Sequence, residues 1–262
     1  MTYETLKYEV RNNVGHITLN RPEAANALDV QMSRDLMDVS FETSEDPDVR
    51  AILITGSGRF FCAGGDLKKF AASGDSLPKL LKEETTYLHV AISRFTRDDA
   101  PVLAAVNGTA AGAGMSLACS CDIVLASDSA VFTMAYTKAG LTPDGSSTYF
   151  LPRQVGLRLA TELTLTNRVL TAEEAREFGI VTRVVPGDQL SAEATEIAEE
   201  IASGPTAAFG EARRLLHSGL VSTLETQMEL ETQAIAAMGA TKDGQEGVQA
   251  FLEKRKPTFN GN

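Results

Sequence analysis

Cysteine and histidine are scarce, with three of each in 262 residues. Cys62, Cys119 and Cys121 are too few, and odd in number, for a disulfide framework. Cys119 and Cys121 stand one residue apart, which is not zinc-ligand spacing, and the histidines are scattered. Metal catalysis is therefore not expected. Basic residues are also in deficit: 24 Lys and Arg face 35 Asp and Glu, a formal charge of −11. Such a balance argues against nucleic acid or an anionic membrane as the main partner, because phosphate binding needs a net basic surface. A local basic patch for one anionic ligand is still compatible with it. No apolar run reaches the roughly 18–20 residues of a membrane span. The start, Met-Thr-Tyr-Glu, lacks the basic and apolar segments of a secretory signal. A cytoplasmic, metal-free protein is the expectation. What the chain does have is ordinary globular composition, 43% hydrophobic and 23% charged, at a length that buries a full core.

Short β-branched runs bounded by Gly, Asn or Pro predict buried strands over 14–19, 49–55, 102–106 and 122–126. Helical patterns lie between them near 30–44, 78–95 and 113–120, the first behind an N-cap at Asp29. Alternating strands and helices indicate an α/β core. After about Ser146 the pattern turns helical, at 172–178 behind Thr171, 189–202, 205–217, 223–238 and 245–254, with one short strand at 180–185. Their amphipathic character requires a packing partner in the core or in another subunit. Gly74-Asp75-Ser76 is the expected mobile loop.

Two segments share a plan of strand, small-residue turn and helix. The first runs Gly56-Ser-Gly-Arg-Phe-Phe-Cys-Ala-Gly-Gly65-Asp66-Leu67-Lys68, and the second Asn107-Gly-Thr-Ala-Ala-Gly112-Ala113-Gly114-Met115. Small residues allow a ligand close to the backbone. The first N–H groups of the following helix are unpaired and favour an anion or a developing oxyanion. Neither segment is a P-loop or a G-x-G-x-x-G dinucleotide motif. One such turn alone is compatible with mere tight packing; two together suit a pair of converging donors.

Asn20-Arg-Pro-Glu-Ala-Ala-Asn-Ala-Leu28, Phe61-Cys-Ala-Gly-Gly-Asp-Leu67 and Val106-Asn-Gly-Thr-Ala-Ala-Gly-Ala-Gly114 resemble the enoyl-CoA hydratase/isomerase (crotonase) superfamily. So do Cys121-Asp-Ile-Val124, Leu163-Thr-Leu-Thr166 and the ending Glu246-Gly-Val-Gln-Ala-Phe-Leu-Glu-Lys-Arg255. The resemblance spans nearly the whole chain. It implies an α/β fold, a crotonase-like spiral of ββα units over residues 1–195 carrying the acyl-CoA site. A C-terminal helical trimerisation region, 196–262, would follow. It further implies a homotrimer or hexamer acting on acyl-CoA thioesters, with coenzyme A as part of the substrate and no separate cofactor. By motif, the Gly65 and Ala113 N–H groups would form the oxyanion hole. Ala25, Ala27, Ala63, Asp66 and Leu67 would line the CoA path, Gly112 and Tyr136 the substrate site. Phe251 and Lys254 would reach a neighbouring subunit's CoA, Lys254 near phosphate.

A hydratase of this family uses two glutamates to activate water. The matching positions here hold Ser116 and Tyr136, and neither is a carboxylate acid/base at neutral pH. Asp144, in Gly140-Leu-Thr-Pro-Asp144-Gly145, is the nearby carboxylate. On local grounds it reads as a turn or a helix cap. The segment from Thr133 to Asp144 also resembles isomerases of the phenylacetate-pathway type, whose catalytic acid falls at the Asp144 position. That resemblance implies an enoyl-CoA isomerase with Asp144 as the single acid/base. An apolar acyl pocket, with Phe132, Met134, Leu141 and Phe150 as candidates, would raise its pKa. The alternatives are a halobenzoyl-CoA dehalogenase-like hydrolase with Asp144 as nucleophile, a hydratase, and a non-catalytic binding protein on the same fold. The dehalogenase pattern wants a tryptophan where Tyr136 stands and a histidine where Ser93 stands; His89 lies one helical turn earlier. His16 and His217 read as structural, as does Cys62, a packed thiol with no histidine placed to activate it.

Overall fold

The computed structural model describes residues 2–262. Strands β1 (Leu6–Arg11) and β2 (Val14–Leu19) form an antiparallel hairpin. It closes over Asn12 and Asn13 at φ 51° and 61°, as the tight hairpin turns that match strand twist require. Helix α1 (Val30–Glu45) follows, its first turn capped by the Asp29 carboxylate, which accepts the Met32 N–H at 2.8 Å. The second unit is β3 (Ala51–Gly56), β4 (Phe60–Cys62), α2 (Leu67–Ala72) and α3 (Leu77–Arg97). The third is β5 (Val102–Val106), β6 (Thr109–Ala111) and α4 (Ala113–Ser120). The fourth is β7 (Ile123–Ser127), β8 (Val131–Thr133), α5 (Ser147–Val155) and α6 (Leu157–Thr166). The chain ends with β9 (Leu170–Thr171), α7 (Ala172–Glu177), β10 (Arg183–Val185), α8 (Leu190–Ala202), α9 (Thr206–Gly219), α10 (Leu224–Gly239) and α11 (Lys242–Glu253).

From β3 onward each unit sends its first strand to one sheet and its second to another. The large sheet has the order β1-β2-β3-β5-β7-β10 and the small one β4-β6-β8-β9. This is the spiral of ββα units. Buried on both faces, the large sheet follows period 2. Ile52, Ile54, Ala104 and Val106 face α1, α3 and α4 in the main core, while Ala51, Leu53, Leu103 and Ala105 face Ala194 and Ala198 of α8. The boundary expected after residue 195 therefore falls inside α8, a helix that covers the sheet. Arg213 of α9 ties the late helices to the spiral, donating to Asp122 at 2.8 Å and to the carbonyls of Phe95, Asp98 and Ala100. Helices α9–α11 leave Leu216, Leu224, Ile235, Val248 and Phe251 exposed.

Two expectations need correction. The strand expected over 180–185 is only Arg183–Val185, because Ile180 and Val181 enter the core from a turn. Gly74-Asp75-Ser76 is a short 3₁₀ turn, joined to α3 without a break. No helix among the described residues is long and apolar enough to cross a membrane.

The pairing of β4 with β6 brings the two glycine-rich turns together. A Cβ at Gly114 would lie 2.2 Å from the Cys62 carbonyl oxygen, and one at Gly64 2.9 Å from that of Ala111. These glycines are required by close backbone approach. Gly114→Ala is expected to destabilise the protein by at least about 1–3 kcal/mol, the usual cost of overpacking. Equilibrium denaturation of the variant checks this; unchanged stability would contradict the contact.

Candidate active site

The two turns form one wall of a cavity of about 210 Å³. In the first, the parallel bridge between Leu28 and Gly65 uses the Gly64 carbonyl and the Asp66 N–H, which leaves the Gly65 N–H out of it. In the second, Ala113 opens α4, so its N–H has no acceptor within the helix. Gly112, at φ 52°, turns the chain into that helix. Both Gly65 and Ala113 line the cavity.

The motif from Asn20 to Leu28 supports the first turn from behind. The Asn26 amide donates to the carbonyls of Ser57 and Phe60 at 2.9 and 2.8 Å. Arg21 holds Asp29 at 3.2 Å and Asp66 at 3.0 Å, and donates to the Ala27 carbonyl. Lys69 closes on Asp29. Asp66 also caps α2 by accepting the Lys69 N–H.

The opposite wall carries Asp144. Its Oδ1 accepts the Tyr136 hydroxyl at 2.5 Å, and Tyr136 and Ser116 share a hydrogen bond of 2.9 Å. Asp144 makes no ion pair among the described residues. Its carboxylate does not cap α5: the chain contacts there are made by its backbone carbonyl, which accepts from Ser147. Burial raises the pKa of Asp144, while the hydrogen bond from the Tyr136 hydroxyl pulls it back. His89 of α3 accepts the Gly145 N–H at Nε2, 3.2 Å away, and so fixes the loop that bears Asp144. That bond orients a loop rather than freeing a base. Gly145 packs so closely on Ser116 that a Cβ would lie 3.0 Å from the serine Cβ. A wider hollow, lined by His89, Tyr149, Phe150 and His217, opens on the other side of Asp144.

Of the residues named from sequence, Ala63, Gly65, Leu67, Gly112, Ala113, Tyr136 and Asp144 line the cavity together. Ala25, Ala27 and Asp66 do not. Ala27 is buried and the Ala25 carbonyl accepts the Ala63 N–H, so these support the turn. Phe251 and Lys254 lie at the exposed end of α11, away from the cavity. Among the proposed acyl-pocket residues Leu141 lines the cavity; Phe132 and Met134 are core, and Phe150 lines the outer hollow. Cys62 is fully buried, and burial pushes its thiol up to about 12, as suits a packing residue.

The enoyl-CoA hydratase/isomerase family matches residues 9–262. The chain belongs to that family. It is 42% identical over the full length of both chains to a Rhodobacter capsulatus protein described as a probable enoyl-CoA hydratase. It is 38% identical to the 1,2-epoxyphenylacetyl-CoA isomerase of Escherichia coli, with 98% of this chain and 99% of that one covered. The solved structure of an enoyl-CoA hydratase from Bacillus anthracis superposes with a TM-score of 0.93 at 34% identity, covering 99% and 100% of the two chains.

Sequence reasoning missed Glu84. It lies on α3 and lines the cavity with Phe70, Leu81 and Thr85. Its signal was present: Glu84, Leu88, Ala91 and Phe95 form one buried stripe at helical spacing, and a carboxylate on an apolar stripe is an anomaly. Burial, reinforced by the charge of Asp144, pushes its pKa up to about 8.

Removing the Tyr136 hydroxyl tests how Asp144 is held. That hydroxyl bonds the ionised carboxylate and so favours ionisation; its loss moves the pKa further up. Tyr136→Phe should therefore raise the Asp144 midpoint followed by carbon-13 NMR. A lower or unchanged midpoint would contradict the geometry.

Proposed function

We propose that this chain is an enoyl-CoA isomerase that shifts a double bond of an acyl-CoA thioester. The observation that carries the reading is Asp144, a half-buried carboxylate in the cavity shared with Gly65 and Ala113. At the two positions where a hydratase has glutamates this chain has Ser116 and Tyr136, already bonded to each other. The N–H groups of Gly65 and Ala113 receive the thioester oxygen. Asp144 removes a proton from C2 of a 3-enoyl thioester, and the electrons move onto the oxygen as a dienolate. The same carboxyl, now protonated, returns the proton at C4, leaving the 2-enoyl product and an ionised Asp144. Two preorganised donors stabilise the charge as it develops, and one such donor is typically worth about 10²–10³ in rate. A raised Asp144 pKa makes the carboxylate a stronger base than an ordinary aspartate.

Water addition is the second reading. One observation favours it: Glu84 supplies a second carboxyl to the cavity. Its position on α3 is not that of either hydratase glutamate, and near neutral pH its raised pKa keeps it mostly protonated.

Asp144→Asn keeps the size and hydrogen bonding of the side chain and removes the base. The variant should bind an acyl-CoA nearly as wild type does and lose isomerisation of a 3-enoyl-CoA. In the same assay wild type should hydrate crotonyl-CoA far more slowly than it isomerises. An active Asp144→Asn variant, or hydration as fast as isomerisation, would overturn the assignment.

The exposed apolar faces of α9–α11 suit a homotrimer or a hexamer, in which Phe251 and Lys254 would meet a neighbour's CoA. Lys254 is exposed, at the C-cap of α11. Lys254→Ala is expected to raise KM with little change in kcat, the mark of lost uniform binding. Salt should shrink the difference by screening the charge. A fully active monomer in sedimentation, or a defect in kcat alone, would contradict this.

A further inference from the structure

Glu84 is only 6% exposed, and its Oε2 is buried without a hydrogen-bond partner. Buried polar atoms are nearly always bonded, and one left without a partner calls for a reason. The orphaned carboxyl borders the same cavity as Gly65, Ala113, Tyr136 and Asp144. A bound molecule is therefore placed to supply what the chain does not. The cavity wall around it is largely apolar, with Phe70, Leu81 and Leu141 among its members, so the missing partner is a specific polar atom on an otherwise apolar group.

We propose that Glu84 donates a hydrogen bond to an oxygen on the acyl chain, so that the preferred ligand is an acyl-CoA whose acyl group carries a carbonyl, ether or hydroxyl oxygen beyond the thioester. The inference rests on the acyl-CoA reading above and narrows its substrate class. The charges around Glu84 suit a neutral, donating carboxyl. Asp144 faces it across the cavity, and Asp29 and Asp66 lie behind it with Arg21 between them. Arg34 and Lys69 border a separate hollow, beside Val30 and Leu80, that Glu84 also touches. Lys69 is held by Asp29, and Arg34 lies 3.7 Å from Glu83. Burial and the three aspartates outweigh Arg21 and raise the Glu84 pKa to about 8, so the proton is mostly present at pH 7.

The test uses unreactive saturated esters, so it does not depend on isomerisation. Binding of hexanoyl-CoA, 4-oxohexanoyl-CoA and 5-oxohexanoyl-CoA is measured by calorimetry for wild type, Glu84→Leu and Glu84→Gln. A ketone only accepts hydrogen bonds, so it reports on the donor. At pH 7 wild type should bind one oxo ester about tenfold more tightly than hexanoyl-CoA, the size of one good hydrogen bond. In Glu84→Leu that preference should disappear, and in Glu84→Gln, which keeps a donor, it should largely persist. Raising the pH through about 8 removes the proton of Glu84. The preference should then fade in wild type and stay constant in Glu84→Gln. Melting temperatures establish that both variants fold. Equal affinity for the three esters in wild type, or the same preference in Glu84→Leu, would overturn the proposal. Failure of wild type to bind any of the three would overturn the acyl-CoA reading itself, and this inference with it.

Discussion

The site exists because two glycine-rich turns touch. β4 and β6 are three residues each, and their pairing leaves no room for side chains where Gly114 meets Cys62 and Gly64 meets Ala111. That contact sets the spacing of the Gly65 and Ala113 N–H groups before any ligand arrives. Donors fixed in advance need no reorganisation when charge develops on a bound oxygen. The remaining architecture holds this contact in place. The large sheet sets the direction of each turn, and Arg21 and Asn26 brace the first turn from behind. α4 begins at the second turn, so that Ala113, whose N–H has no acceptor within the helix, stands in the cavity wall.

Electrostatics then divides the acidic groups of a chain with net charge −11. Asp29 and Asp66 are neutralised by Arg21 and Lys69 and serve the framework. Asp144 and Glu84 have no ion-pair partner among the described residues and border the cavity instead. Burial resists ionisation of both, but the environments differ. Asp144 accepts a hydroxyl, which favours its charged form, whereas Glu84 has no such donor and sits in the field of Asp144. Two carboxyls in one pocket are thereby given unlike environments, the usual route to distinct roles for chemically similar groups.

Much of this was legible in the chain. The runs over 14–19 and 102–106 coincide with β2 and β5, and 113–120 with α4, because strong apolar patterning and glycine punctuation mark their ends. β1 alternates with exposed Lys7, Glu9 and Arg11 and has no apolar run to betray it. β4, β6 and β8 are too short for any period. The turns and Asp144 were found through motif, but the meeting of Asp144 with Tyr136 depends on a loop folding back across eight residues. Asp66, expected on the CoA path from motif alone, also serves as a cap and an ion-pair partner, which only the fold shows. Glu84 was hidden for the opposite reason. Helical periodicity averages over a stripe, so one carboxylate among apolar neighbours does not disturb it, and only the long-range approach of α3 to the turns gives it a role.

In the proposed reaction, two backbone donors and one carboxylate address the two ends of a single enolising unit. A crystal structure with a saturated acyl-CoA bound tests it most directly. The thioester oxygen is expected about 2.7–3.1 Å from both the Gly65 and Ala113 nitrogens, with C2 turned toward the Asp144 carboxylate. A thioester oxygen bonded elsewhere, or a C2 turned away from Asp144, would contradict it.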